Sequence, residues 1–269
     1  MGISRSTYYK KYKTESNKKE EQEEVILLFK KKKGRYGKRR LKEELRKAGT
    51  TKSIKKIAKI LRENKLVAKG GRNHKKRKKE IEAKIEVKEN IIKDKYSIEG
   101  PDRLICGDIS QIKCVSGWIY ISGIIDVYTR EIVGYGIAMH MRGEIVIESI
   151  KMAIGRYRYT KETIFHSDNG MQYLSKRTQE IMEMLGIQTS RSRVGKPMDN
   201  QPIESFWKTL KQEIGEEIRV LKYNVARLEL VRYIGEYNNE RIHSSLGYQT
   251  PREYRENFIS KASLTNKIT

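Results

Sequence analysis

Residues 104–139 read LICGDISQIKCVSGWIYISGIIDVYTREIVGYGIAM, and the fold turns on how this run divides. Three segments rich in Ile, Val and Tyr, LICGDISQI, WIYISGIIDVY and EIVGYGIAM, are separated by the Ser116-Gly117 turn and by Thr129-Arg130. Short β-branched runs punctuated in this way predict three antiparallel strands. One residue breaks the apolar character of the first: Asp108 sits inside a strand otherwise fit for burial. Cys106 and Cys114 flank it without a CxxC partner or a nearby His/Cys set, so they read as strand packing residues and not as a disulfide or zinc site.

Downstream, the period changes. An amphipathic helix is predicted at about Glu144 to Tyr157, followed by a short strand TIFHSD (163–168) and a helix near Ser175 to Leu185. A strand IQTSRS (187–192) and a helix carrying PIESFWKTLK (202–211) complete the series. Three strands followed by alternating helix and strand predict a mixed five-stranded sheet with flanking helices, the order of a ribonuclease-H-like α/β fold. Order alone admits other α+β folds.

Two further carboxylates stand out by their local sequence. Asp168 lies in HSDNG at a predicted strand end, and Glu204 lies in DNQPIESFWKTLK, with thirty-five residues between them. On that helix Ile203, Phe206, Trp207, Leu210 and Ile214 share one face, and Glu204, Lys208 and Lys211 project roughly a quarter-turn away. Asp199 or Asn200 is placed to cap the helix, with Pro202 tolerated in its first turn. A sheet of the predicted order brings Asp108, Asp168 and Glu204 together. Crowded carboxylates repel, and cations relieve that repulsion. Mg2+, with Mn2+ as a substitute, suits hard oxygen ligands, and two ions about 4 Å apart serve in-line phosphoryl transfer. Lys211 would then reach a phosphate of a DNA end. The competing reading makes each acid an ordinary surface or turn carboxylate, which is weakest for Asp108 because of its apolar strand.

Charge divides the chain. Residues 1–100 hold 34 Lys/Arg against 14 Asp/Glu, a balance of +20, whereas residues 101–269 hold 24 against 20, only +4 of the total +24. The first part is therefore the expected polyanion grip, with affinity that falls steeply with salt. Within it, Leu41, Leu45 and Ala48 repeat at helical spacing from Lys38 onward. After the turn GTTKS, Ser53 is a plausible N-cap for a second helix striped by Ile54, Ile57, Ala58 and Leu61. Lys52, Lys55, Lys56, Lys59 and Arg62 fall mostly outside that stripe. Two short helices and a glycine turn predict a helix-turn-helix whose lysines meet phosphates, with Arg35, Lys38 and Arg39 as further DNA-binding candidates. A plain basic hairpin is the alternative. An earlier helix around Glu20 to Lys33, apolar at Val25 to Phe29, is expected to pack behind it.

KGGRNHKKRKK (69–79) has a linker's composition, and its His74 has no second ligand nearby. Residues 80–96 read as a charged helix or connector. No stretch approaches eighteen uninterrupted apolar residues, and the start MGISRSTYYKKYK has no apolar signal core, so neither a membrane span nor a secretory leader is predicted and cytoplasmic residence is expected. The resulting division is 1–68 as a basic helical region, 69–100 as linker and connector, 101–218 as the catalytic core and 219–269 as its helical extension.

These residues also carry a resemblance. MGISRSTYYKKY, GRYGKRRLKEELRKAG, GDIS, YISGIIDVYTREIVGY, HSDNGMQYLS, SRSRVGKPMDNQPIESFWKTLKQE and YNNERIHSSLGYQTPREY are similar, in order and over nearly the whole chain, to the OrfB-type transposases of bacterial insertion sequences. The catalytic core of that family resembles retroviral integrase. The resemblance implies a catalytic, metal-holding triad of Asp108, Asp168 and Glu204, and a reaction in which water activated by metal cuts one strand at each inverted-repeat end. The exposed 3′-hydroxyl then attacks another phosphodiester with no covalent protein–DNA intermediate. It implies element ends and target DNA as partners, a homo-oligomer on DNA in the nucleoid, and an upstream-frame protein joined by frameshifting. Ser110, Ser167 and Tyr173 are then structural or DNA-contacting, not nucleophiles. Ile105, Asn169, Met171 and Met198 depart from residues more usual in the family without removing an acid. His166 is expected to position or pack. His243, Tyr237 and Asn238 are expected in a structural C-terminal unit, with Arg241 on DNA. Two other readings stay open: a DNA-binding regulator that does not cut, and another ribonuclease-H-like nuclease.

Overall fold

The computed structural model describes residues 20–69, 98–157, 159–168, 170–191 and 200–265. The sequence-based expectations for residues 1–19, for His74 and the rest of the 70–97 connector, and for Asn169, Met198 and Asp199 fall outside these. The chain divides into two compact units, Met1–Glu82 and Ala83–Thr269.

In the first unit, helix α1 (20–31) is followed by α2 (Lys38–Lys47) and α3 (Ile54–Glu63). Val25 and Phe29 of α1 are buried along with Leu41 and Leu45 of α2 and Ile57, Ile60 and Leu61 of α3, so the helical stripes read from sequence form the core. Ser53 caps α3 as its position suggests, its Oγ accepting from the Lys56 amide at 3.2 Å. The lysines of the turn and helix are less free than the stripe implies. Lys52 is buried and donates to Glu24 of α1, and Lys56 pairs with Glu21 one turn earlier. The expectation that Lys52 grips phosphate is corrected: with its side chain only 4% exposed, its ammonium holds α1 against the α2–α3 turn.

In the second unit, β1 (Leu104–Cys114), β2 (Gly117–Asp126) and β3 (Ile132–Ala138) form an antiparallel meander. Helix α4 (Gly143–Arg156) then crosses over to β4 (Ile164–Ser167), which lies parallel to β1. The short α5 (Met171–Leu174), then α6 (Lys176–Met184), lead to β5 (Gln188–Arg191), parallel to β4. The sheet order is β3-β2-β1-β4-β5, with β1 at its centre. Helix α5 has no counterpart in the sequence reading, because four residues are too few to show a period. Helices α7 (Gln201–Arg219), α8 (Tyr223–Asn239) and α9 (Pro251–Thr265) follow.

Strand alternation sorts the core into two layers. Cys106, Ile112 and Cys114 of β1 join Ile119, Ile121 and Ile125 of β2 under α7 and α8, which contribute Phe206, Leu210, Ile214, Leu230 and Tyr233. Ile105, Ile124, Val133 and Phe165 face the other way, onto Ile145, Val146, Ile150 and Ala153 of α4. Helix α4 sits unusually close to β3. A Cβ on Gly134 would lie 2.0 Å from the Ser149 carbonyl oxygen, and one on Gly136 would lie 2.2 Å from that of Ile145. Both cysteines are free and buried, as read from sequence.

Two polar devices tie the last two helices to the sheet. Asn238 of α8 meets the backbone of edge strand β3 as another strand would, its Oδ1 accepting from Ile132 N and its Nδ2 donating to Ile132 O, each at 2.9 Å. Arg255 of α9 is fully buried and donates to Glu131 at 2.6 Å and to Asp102 at 2.8 Å, with Asp126 at 3.5 Å. Its guanidinium lies 3.9 Å from the centre of the Tyr157 ring. Asp126 is completely buried, and burial pushes its carboxyl up in spite of the Arg255 charge. Replacing Arg255 by Met leaves Asp126 buried without its cation and Glu131 with only Arg252, 3.5 Å away. The expected cost is about 3–5 kcal/mol of unfolding free energy, read by urea denaturation.

Candidate active site

Asp108 stands at the centre of the sheet, opposite Gly123 of β2 and one residue beyond Gly107, which pairs with Ser167 of β4. The parallel β1–β4 register therefore delivers Asp168, the residue after Ser167, beside Asp108. Helix α7 crosses the same face of β1, and its first turns bring Glu204 to this end of the strand. Ile203, its chain neighbour, packs 3.4 Å from where a Cβ on Gly123 would sit.

Asp108 lies in the field of the other two acids. Asp108 is pushed up to about 6, chiefly by burial, with the charges of Asp168 and Glu204 adding to the rise. A hydrogen bond from Trp207 Nε1 to its Oδ2, 3.0 Å long, works in the opposite direction. Burial also pushes Glu204 up. Asp168 is exposed and accepts from the Gly170 amide at 3.0 Å. Among the described residues none of the three makes an ion pair, and the hydrogen bonds from Ile109 and Trp207 offset the rise at Asp108 only in part. The donor chemistry, three carboxylates with one half-buried, fits a hard divalent cation. The spacing is not yet that of a cage: among the described residues no three acids or histidines stand close enough to hold a metal together.

Lys211 lies two turns along α7 from Glu204 and is within the field of Asp108. Burial lowers its ammonium while the Asp108 charge raises it. Lys208 is exposed. Arg241 is different: it donates to Glu213 Oε1 at 2.9 Å and 3.0 Å, and the pair is 11% and 5% exposed. The expectation of a DNA contact there is corrected, since its charge is spent inside the fold, joining the loop after α8 to α7. His243 stacks edge-on to Tyr237 at 4.9 Å, the structural place expected of it. His166 is fully buried, its Nδ1 3.1 Å from Ser190 Oγ of β5, and so lines the β4–β5 ladder. In the first unit, Lys38, Arg39, Lys55 and Lys59 are exposed, Lys59 loosely paired with Glu63 at 3.8 Å, while Arg35 is half-buried.

Sequence reasoning missed the polar roles of two residues beside Asp108 and of one farther along α7. Trp207 was placed in the apolar stripe, but its indole N–H also reaches Asp108. Asn200, at the N-cap of α7, spends its side chain elsewhere than on the cap, donating to the Gly107 carbonyl at 3.1 Å. Glu213, which holds Arg241 and accepts from Tyr233 at 3.0 Å, left no sequence signal beyond its place on the buried side of α7.

A central β1 aspartate, a second at the end of the adjacent parallel strand and a glutamate on a helix crossing that face define an integrase-type core of ribonuclease-H-like fold. The comparisons agree. Residues 99–197 and 185–251 match two Integrase core domain families, and residues 16–76 match an HTH-like domain. The chain is 33% identical over 224 residues to the transposase for insertion sequence element IS904 of Lactococcus lactis, spanning 83% of this chain and 88% of that one. It is 33% identical over 229 residues to the insertion element IS600 uncharacterized 31 kDa protein of Shigella sonnei, spanning 85% and 84%. Among solved structures, the HTLV-2 integrase catalytic core is similar at 15% identity with a TM-score of 0.47, over 58% of this chain and 97% of that one. The chain belongs to the OrfB-type insertion-sequence transposases, DDE-type enzymes with an integrase core. No helix among the described residues is long and apolar enough to cross a membrane.

The raised Asp108 carboxyl has a consequence for stability. With a folded value of about 6 against 3.8 unfolded, Asp108 contributes stability below about pH 4 that is lost as pH rises through 6. At neutral pH the metal-free protein therefore bears a penalty on the order of 2–3 kcal/mol. Asp108→Asn is expected to raise the melting temperature above pH 7 without divalent metal, and to lose that advantage near pH 4. A thermal melt across that range checks it.

Proposed function

We propose that this transposase cleaves its element's ends and joins the exposed 3′-hydroxyl to a second phosphodiester, with Asp108, Asp168 and Glu204 holding the divalent cations. The observation that carries the reading is the convergence of three carboxylates from β1, the end of β4 and α7, with Asp168 and Glu204 both bearing on the buried Asp108. No fold gains stability by such a set, and a divalent cation, Mg2+ or Mn2+, removes its cost. When bound, two such ions supply Lewis acidity at the attacking and leaving oxygens of a phosphoryl transfer.

The chain's own groups do the rest. Asp108 is held by sheet and indole, so its carboxylate is aimed before substrate arrives. Asp168 and Glu204 approach from the solvent side, where they can adjust to the scissile phosphate. Lys211, exposed and within the field of Asp108, is suited to a phosphate oxygen adjoining the reacting one, and exposed Lys208 to the flanking backbone. No serine or tyrosine nucleophile is assigned. Tyr173 is buried and its hydroxyl is pushed well above its usual range by burial, so it is a poor nucleophile.

The helical unit supplies DNA grip through Lys38, Arg39, Lys55 and Lys59, with Arg35 at the margin. Partners are the terminal inverted repeats, target DNA and further copies of the chain, with action at the nucleoid. A second reading is that this chain is a catalytic subunit completed by an upstream-frame protein. DNA binding without cutting, as a regulator, is the outcome if the acids prove idle.

The deciding assay incubates the chain, alone and fused to its upstream frame, with element-end DNA and Mg2+. Asp108→Asn, Asp168→Asn and Glu204→Gln are each expected to lose at least about a hundredfold in nicking and joining while still shifting DNA in a gel. Full cleavage by any of them refutes the metal assignment. A second experiment separates gripping from buried lysines. Lys55→Gln with Lys59→Gln is expected to flatten the slope of log affinity against log salt by about two, whereas Lys52→Gln leaves the slope unchanged and lowers stability.

A further inference from the structure

Two hydrogen bonds stitch the beginning of α7 to β1, one on each side of Glu204. Asn200, four residues before it, donates from Nδ2 to the Gly107 carbonyl at 3.1 Å. Trp207, three residues after it, donates from Nε1 to Asp108 Oδ2 at 3.0 Å. Both residues are at most 5% exposed. The helix that bears one acid is thus bonded to the strand that bears another, at Asp108 itself and at the residue before it.

The indole has been given room to do this. Gly123 pairs with Asp108 across the β1–β2 ladder, and a Cβ at Gly123 would lie 2.8 Å from Trp207 Cη2 and 2.9 Å from Cζ2. Any side chain there displaces the ring from the strand. Phe206 packs against the indole from the other side, with ring centres 4.9 Å apart, but makes no contact with the carboxylate that requires its own chemistry.

We infer that Trp207 is a positioning residue for the reaction: its N–H fixes the rotation of the Asp108 carboxylate and so presents the remaining oxygen lone pairs to a divalent cation. The inference rests on the reading of Asp108, Asp168 and Glu204 as the catalytic set. A carboxylate turns about a broad, nearly two-fold terminal torsion. The Ile109 amide bonds Asp108 from its own strand while the indole bonds it from α7, so removing the indole leaves the carboxylate a single anchor about which to turn. An indole N–H can only donate, and therefore directs the carboxylate without ligating metal or exchanging its proton. Hydrogen-bond partners of ligating carboxylates commonly matter tenfold to a hundredfold in metal affinity. Gly123 serves the same end from the neighbouring strand by leaving the ring its seat.

The test measures Mn2+ binding by titration calorimetry on the full chain in complex with its element-end duplex, alongside cleavage kinetics. Trp207→Phe keeps an aromatic ring and removes the donor. Gly123→Ala keeps the donor and moves the ring. Both are expected to weaken Mn2+ binding about tenfold and to lower kcat with little change in KM for DNA. Phe206→Leu, a packing control in the same core, is expected to lower the melting temperature and leave Mn2+ affinity within about twofold of wild type. Wild-type Mn2+ affinity in Trp207→Phe, or an equal loss in Phe206→Leu, overturns the positioning role while leaving the acid assignment standing. Asp108→Asn that binds Mn2+ and cleaves as wild type does, or a wild-type complex that takes up no Mn2+, overturns the acid assignment itself. Should Trp207→Phe not fold, β-(3-benzothienyl)alanine at position 207 replaces only the N–H by sulfur and applies the same criteria.

Discussion

Carboxylates brought close together repel one another, and this core holds Asp108 in the field of Asp168 and Glu204 in spite of that repulsion. The central strand β1 is bonded along its length to β2 and, from Leu104 to Gly107, to β4 on the other side, so Asp108 cannot retreat without breaking the β1–β2 ladder. Helix α7 is pressed on the same face by Ile203, Phe206, Leu210 and Ile214, which fixes where Glu204 begins. Asp168, at the free end of the short β4, is the member with most liberty. Asp108 on the strand is the half-buried member of the three, while Glu204 on the helix and Asp168 after β4 are exposed.

The same constraint explains the distribution of polar groups inside the fold. Buried polar side chains are concentrated where a late element meets the sheet: Asn238 on β3, Glu213 with Arg241 between α7 and the loop after α8, and Arg255 among three acids. None of these touches the candidate site. They hold α7, α8 and α9 in register, and through α7 they hold Glu204 opposite Asp108.

Much of this was legible in the chain. The meander of β1 to β3, the helix α4, both parallel strands and the α7 stripe follow from period and turn residues, and the Asp108 anomaly was visible as an acid in an apolar strand. What the sequence could not disclose was partnership across long separations. Lys52 and Lys55 look alike in a basic run, yet one is buried against Glu24 and the other is exposed, because only tertiary packing decides which lysine faces α1. Arg241 beside Asn238 and Tyr237 reads as a surface cation until Glu213, 28 residues earlier, is brought to it. Trp207 carries two signals, bulk and a donor, and periodicity registers only the first. Helix α5 was too short to register at all.

The Arg255 cluster joins residues 153 positions apart in the chain, Asp102 at the threshold of β1 and Arg255 on α9. Contacts of such separation close late, because the loop between them must be ordered first. During synthesis, β1 to β5 and both β-borne acids leave the ribosome while Asp102, Asp126 and Glu131 still lack their cation. The sheet's last polar tie therefore forms only once α9 is in place, and a chain that ended before Arg255 would leave Asp102 and Asp126 without that guanidinium.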